Sequence, residues 1–133
     1  GPEEYNLKHQ AKRQSVDTQI NFHGKVSYER VKSAYANADV FVHPGIWPEP
    51  FNRTLLEAMQ SELPVVVTDI GGPPEVIPQD DLVCPPKNPR KLAETVKLSL
   101  DMNDPGKENK DYVQRYNPKV VINDIIDQYE MLI

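Results

Sequence analysis

The sequence predicts an α/β fold, an open parallel sheet with helices on both faces. Three observations predict it. Strand-like and helix-like segments alternate along the chain. The run "PVVVTDI" at 64–70 is apolar and β-branched enough to be buried on both faces, as central parallel strands are. The links between segments are short, and alternation with short links implies right-handed crossovers onto a parallel sheet.

Each element follows from local signals. Residues 3–14 are polar, with Leu7 and Ala11 one helical turn apart, and read as a weak helix. "QINFHG" at 19–24 reads as a short strand ending at Gly24. Ser27 is placed to cap a helix whose apolar positions are Tyr28, Val31, Ala34, Tyr35 and Ala38. "DVFVHP" at 39–44 is a strand stopped by Pro44, and the turn-rich loop "GIWPEPF" follows. A helix over 52–61, "NRTLLEAMQS", has Leu55, Leu56 and Met59 on one face. After "PVVVTDI", Gly71 and Gly72 turn the chain, and Pro73 or Pro74 opens a short helix ending "PEVI". "DLVC" at 81–84 is a fourth strand. Asn88 caps and Pro89 starts a helix with Leu92, Ala93, Val96 and Leu100 as its apolar set. A break at "NDPGK" precedes "ENKDYVQRY". Asn117 and Pro118 repeat the cap-plus-proline device before a last helix with the stripe Ile122, Ile125, Ile126, Tyr129 and Ile133.

Composition narrows the function classes. The chain has 133 residues, 38% hydrophobic and 26% charged, enough for one globular domain and too few for two. The 13 prolines sit mostly at element boundaries. No apolar run approaches the roughly 20 residues of a membrane span, and the N-terminal residues carry no signal-peptide pattern. A net charge of −5 argues against broad nucleic-acid binding. Cys84 is the single cysteine, which makes the reducing cytoplasm the default compartment and the residue a small buried hydrophobe. His9, His23 and His43 share no metal-like spacing.

Ligands of open parallel sheets bind beyond the carboxyl ends of the strands. Three strand-to-helix loops exceed what connection requires: "HGKVS" at 23–27, "HPGIWPEPFNRT" at 43–54 and "DIGGPPE" at 69–75. All three are expected to open on one sheet edge. The second leads into a helix N-terminus, where unpaired amides and the dipole favour a phosphate. Asn52 suits a backbone of positive φ. Arg53 is placed either to bond a phosphate or to stand solvated at the surface. Glu57 has two readings: the spacing Thr54-x-x-Glu57 is that of a capping box, and a carboxylate at a helix start is also placed for a ligand. Glu49 is either a site acid or an exposed loop acid. Gly71 and Gly72 form at least a tight turn, and Trp47 reads as a partly buried aromatic lid.

The segments "FHGKV", "ADVFVHPGIWPEPFNRTLLEAMQSELPVVVTDIGGPPEVI" and "LVCPPKNPRKLAETV" resemble the C-terminal, donor-binding half of a retaining glycosyltransferase with the GT-B fold, in glycosyl transferases group 1 (family 4). The resemblance covers roughly residues 20–100, and Glu49 and Glu57 fit the family's E-x7-E motif. It implies a Rossmann-like domain. It implies a function as well: glycosyl transfer from a nucleoside diphosphate sugar to an acceptor hydroxyl with retained configuration, and no bound metal or cofactor.

By the same resemblance, Glu57 accepts hydrogen bonds from the donor ribose, and Glu49, the catalytic candidate, lies near the donor sugar. Amides around Phe51, Asn52, Arg53 and Thr54 meet sugar and diphosphate, Lys25 and Val26 border the base, and Gly71 and Gly72 join the donor site. The family usually has Gly where Asn52 stands, a small hydroxyl residue at Gly45 and an aliphatic at Arg53. The family's domain begins with a further strand-helix unit. The chain is therefore expected to be one partial domain, with 107–133 its C-terminal helical segment, and inactive without an acceptor domain. A sugar or lipid-linked acceptor and a cytoplasmic membrane face are the implied partners. The rival readings are a non-catalytic nucleotide-binding or interaction module and an epimerase; the "EPF…LEAM" context disfavours the epimerase.

Overall fold

The computed structural model describes residues 1–131, so the expected stripe position Ile133 lies outside them. The described chain divides into two compact units, residues 1–34 and 35–131.

The first unit holds α1 (Glu4–Arg13), a 3-10 turn over Asp17–Gln19 and most of α2 (Tyr28–Ala36). Helix α1 is as polar as its sequence suggests, with Ala11 buried and Leu7 exposed. Glu4 pairs with Lys8 at 2.6 Å, one turn on. Lys8 also lies over the Phe22 ring, 5.6 Å from its centroid. Lys8 and Phe22 also line a groove of about 600 Å³ together with Tyr5, His9, Lys12 and Ile20. The strand expected at 19–24 does not form. Gln19 closes the 3-10 turn, and although Ile20 is extended (φ −116, ψ 125), 20–24 carry no strand ladder. A strand is a pairing as much as a backbone conformation.

The second unit is built on three parallel strands, β1 (Phe41–His43), β2 (Val65–Thr68) and β3 (Val83–Cys84), in the order β1-β2-β3. Register is set by Phe41 opposite Val65 and by Val67 opposite Val83. All four residues of β2 are buried. Successive strand side chains point to opposite faces, so both faces of the central strand are covered, as the run of valines predicts.

Helix α3 (Arg53–Gln60) buries Leu55, Ala58 and Met59 completely. These positions share one helical face, and burying a Leu or Met side chain stabilises by about 1.5–3 kcal/mol. Leu56, expected on the same face, is only half-buried. The short α4 (Pro73–Val76) opens on Pro73.

Helix α5 (Pro89–Asp101) is capped by Asn88, whose side chain accepts from the Lys91 amide at 3.1 Å. It packs on β2 and β3. Its buried residues are Thr95 and Ser99, not the expected Ala93 and Leu100, which are exposed. Small side chains let the helix approach, and their hydroxyls are satisfied locally. Ser99 donates to the Val96 carbonyl at 2.8 Å, and Thr95 bonds the Cys84 thiol. Burial is the larger influence on that thiol and pushes its pKa up.

The break at "NDPGK" is shorter than expected. Asp104, at φ 55, caps α6 (Pro105–Val113). α6 packs on α3. Gly106 sits so close beneath the Glu62 carbonyl that a Cβ there would lie 1.9 Å from its oxygen. Asn109, fully buried, donates to the Leu63 carbonyl at 2.7 Å. Helix α7 (Pro118–Glu130) is capped by Asn117 as predicted, and its stripe of Ile122, Ile125, Ile126 and Tyr129 is exposed.

Candidate functional site

The carboxyl ends of β1, β2 and β3 lie at one edge of the sheet, because all three strands run parallel in register. Two of the three rich loops meet there. Thr68 Oγ1, at the end of β2, donates to the Gly45 carbonyl at 2.5 Å. The Gly72 amide donates to the Glu49 carbonyl at 2.8 Å. The approach of the two loops explains both glycines. A Cβ on Gly71 would lie 2.6 Å from the Glu49 carbonyl oxygen, and one on Gly72 2.2 Å from that of Pro50. Gly71 also needs its φ of +68, which side-chain-bearing residues rarely adopt. The pair is a seat for the acid-bearing loop as well as a turn.

Asn52 is the hub of the site. Its φ is −113, not the positive value its residue type suggested, because it is the N-cap of α3. Its Oδ1 accepts from the Thr54 amide at 3.0 Å and from the Thr54 hydroxyl at 2.5 Å. That fixes the amide's orientation and aims Nδ2 at Glu49 Oε2, 2.8 Å away. Nδ2 also lies 3.3 Å from each ring nitrogen of His43, the last residue of β1. His43 Nε2 stands 3.9 Å from Glu49 Oε2. Glu49 is thus tied by its backbone carbonyl to Gly72 and by its carboxylate to Asn52, while its side chain remains partly open to solvent.

With Asn52 as cap, α3 begins two residues too early for a capping box at Thr54. Glu57 therefore lies in the second turn, half-buried, and its Oε2 accepts from the Tyr35 hydroxyl at 3.3 Å. Tyr35 is 9% exposed, and its ring sits edge-on to Phe41 at 5.8 Å. Periodicity identified Tyr35 only as one apolar position of a helix stripe. The signal for more was its hydroxyl, since a buried phenol normally finds a hydrogen-bond partner.

The other expected residues divide. Phe51 and Arg53 are exposed beside the cap, and the Thr54 amide is already used by Asn52. Phe51 tilts against Tyr116, 6.1 Å between centroids. The Tyr116 hydroxyl reaches the Glu75 carbonyl at 3.5 Å, and burial raises its pKa. Sequence reading gave Tyr116 no role. Trp47 is no lid, being 78% exposed. Lys25 and Val26 belong to the first unit, so the site described here is built from the second unit alone. Among the described residues, no group of three or more His, Cys, Asp or Glu is arranged to hold a metal.

A parallel α/β unit with acid-bearing loops at the carboxyl edge of its strands is the architecture of GT-B glycosyltransferases. The chain belongs to that class through the family glycosyl transferases group 1, whose family model matches residues 1–119. A GDP-mannose-dependent alpha-mannosyltransferase of Mycolicibacterium smegmatis is 42% identical over 66 residues, 50% of this chain and 17% of that protein. In fold the chain is similar to a sucrose-phosphate synthase from Thermosynechococcus elongatus, with a TM-score of 0.80 at 23% identity, covering 99% of this chain and 35% of the other. It is likewise similar to an Anabaena protein solved in complex with UDP, with a TM-score of 0.78 at 21% identity, covering 97% and 36%. The chain thus spans about a third of the length of these solved structures.

Proposed function

We propose that this chain is the donor-binding part of a longer retaining glycosyltransferase that moves a sugar from a nucleoside diphosphate to an acceptor hydroxyl. The observation that carries the reading is the pair Glu49 and Glu57, each oriented by a separate hydrogen bond, beside the capped start of α3. A fold neighbour solved with UDP supports a nucleotide as ligand.

In this reading Glu57 accepts hydrogen bonds from the ribose hydroxyls. Glu49 faces the donor sugar and favours the positive charge that develops as the anomeric C–O bond breaks. The electron pair of that bond leaves with the diphosphate. Amides of Phe51, Asn52 and Arg53, aided by the dipole of α3, receive the phosphate charge; Thr54, whose amide is taken, supports the cap instead. Gly71 and Gly72 border the sugar while seating the Glu49 loop. No metal or other cofactor takes part. The acceptor, a sugar or a lipid-linked hydroxyl, is held by another domain, and the chain alone is inactive. The work is done in the cytoplasm or at its membrane face. In the described residues no helix is long and apolar enough to cross a membrane.

The test is product analysis on the full-length protein with UDP-, GDP- and ADP-sugars, with and without EDTA. Transfer with retained configuration that survives EDTA and is lost in Glu49→Gln is expected. Nucleotide binding without transfer to any acceptor would favour the non-catalytic module instead. Activity near wild type in both Glu49→Gln and Glu57→Gln would reject the assigned roles.

A further inference from the structure

We infer that Tyr35 is a positioning residue for nucleotide recognition: its hydroxyl presets the Glu57 carboxylate to accept the two ribose hydroxyls. The inference rests on the donor-binding reading of Glu57 and goes beyond it.

A glutamate on a helix surface has three side-chain torsions, and a ligand that needs one arrangement must freeze them. Here one arrangement is already selected. The Tyr35 hydroxyl reaches Glu57 Oε2 at 3.3 Å from a residue 22 positions earlier. Tyr35 is itself held, being buried at the end of α2 with its ring edge-on to Phe41. An ionised carboxylate offers about four acceptor sites. One bond from the phenol leaves the rest for a ligand, so a vicinal diol finds a carboxylate already oriented. Preorganisation of this kind lowers the ordering cost of binding without touching the ligand.

The chemistry separates Tyr35 from a packing residue. Tyr35→Phe keeps the ring against Phe41 and removes only the oxygen. The full-length protein is first titrated calorimetrically with UDP, GDP and ADP to find the nucleotide it takes, then with the 2′,3′-dideoxy form of that nucleotide. Wild type is expected to prefer the ribose form by about tenfold or more, as hydrogen bonds to a charged group imply. In Tyr35→Phe the preference is expected to fall by about three- to tenfold. Affinity for the dideoxy form and the melting temperature should stay near wild type. An unchanged preference, or an equal weakening of both forms, overturns the inference and leaves the donor reading standing. Failure of the wild type to bind any of the three nucleotides, or to distinguish the dideoxy form, removes the reading of Glu57 and this inference with it.

Discussion

The Asn52 side-chain amide donates to the Glu49 carboxylate at 2.8 Å while its oxygen caps α3 through the Thr54 amide. One residue thus ties the start of a helix to the acid of the neighbouring loop, so the site's geometry and the helix's stability can be separated by substitution. Asn52→Asp keeps an oxygen for Thr54 but replaces the donor facing Glu49 with a second acceptor. The cap itself is expected to hold, since Asp and Asn cap comparably, while the two facing carboxylates repel and loosen the Glu49 loop. Under the proposed function, sugar transfer by the full-length protein should fall, by about a hundredfold if the carboxylate is displaced by an ångström. Steady-state kinetics alongside thermal melts check this; unchanged turnover would detach Asn52 from Glu49.

Gly72→Ala should damage the same loop from the other side. Its Cβ would lie 2.2 Å from the Pro50 carbonyl oxygen, a backbone atom that cannot rotate away. The expected cost is about 1–3 kcal/mol, the usual range for overpacking, read by urea unfolding. A wild-type midpoint would mean that the Glu49 loop is free to move.

Asn109→Ala probes the junction of α3 and α6. It leaves the Leu63 carbonyl without the partner it has at 2.7 Å. An orphaned buried acceptor costs about 1–3 kcal/mol, which chemical denaturation would measure. A loss below a few tenths would show that another group satisfies that carbonyl.

Cys84 is expected to resist thiol reagents in the native state. It is buried in β3, and burial holds its pKa above the ordinary thiol value, so less of the reactive thiolate is present at a given pH. Because the folded thiol keeps its proton to higher pH than the unfolded one, its contribution to stability is full below the unfolded value. That contribution is lost as pH rises toward the folded one. Stopped-flow labelling at pH 8 should track unfolding; reaction at the rate of free cysteine would contradict the burial.

The elements that the sequence predicted well are those with strong local signals. "PVVVTDI" carries a buried strand on its valines alone, and Asn88-Pro89 and Asn117-Pro118 announce their helices. The misses come from choices that only tertiary contact makes. Residues 19–24 have strand-like composition and no ladder. Helix α5 turns Thr95 and Ser99 inward because small hydroxyl residues fit there and are satisfied. Asn52 and Thr54 are both good caps two residues apart, and the sequence offers no means of choosing between them. Choosing Asn52 removes the capping role from Glu57 and supplies the partner of Glu49. The bond from Tyr35 to Glu57 joins positions 22 residues apart, beyond any local pattern.

The most direct measurement maps backbone amide shifts of the full-length protein during titration with UDP, GDP and ADP. One of these nucleotides is expected to perturb Phe51, Asn52, Arg53 and Glu57 together with Gly71 and Gly72. Shifts confined to the groove between Tyr5 and Phe22, or no saturable shift with any of the three, would contradict a donor site at the carboxyl edge of the sheet.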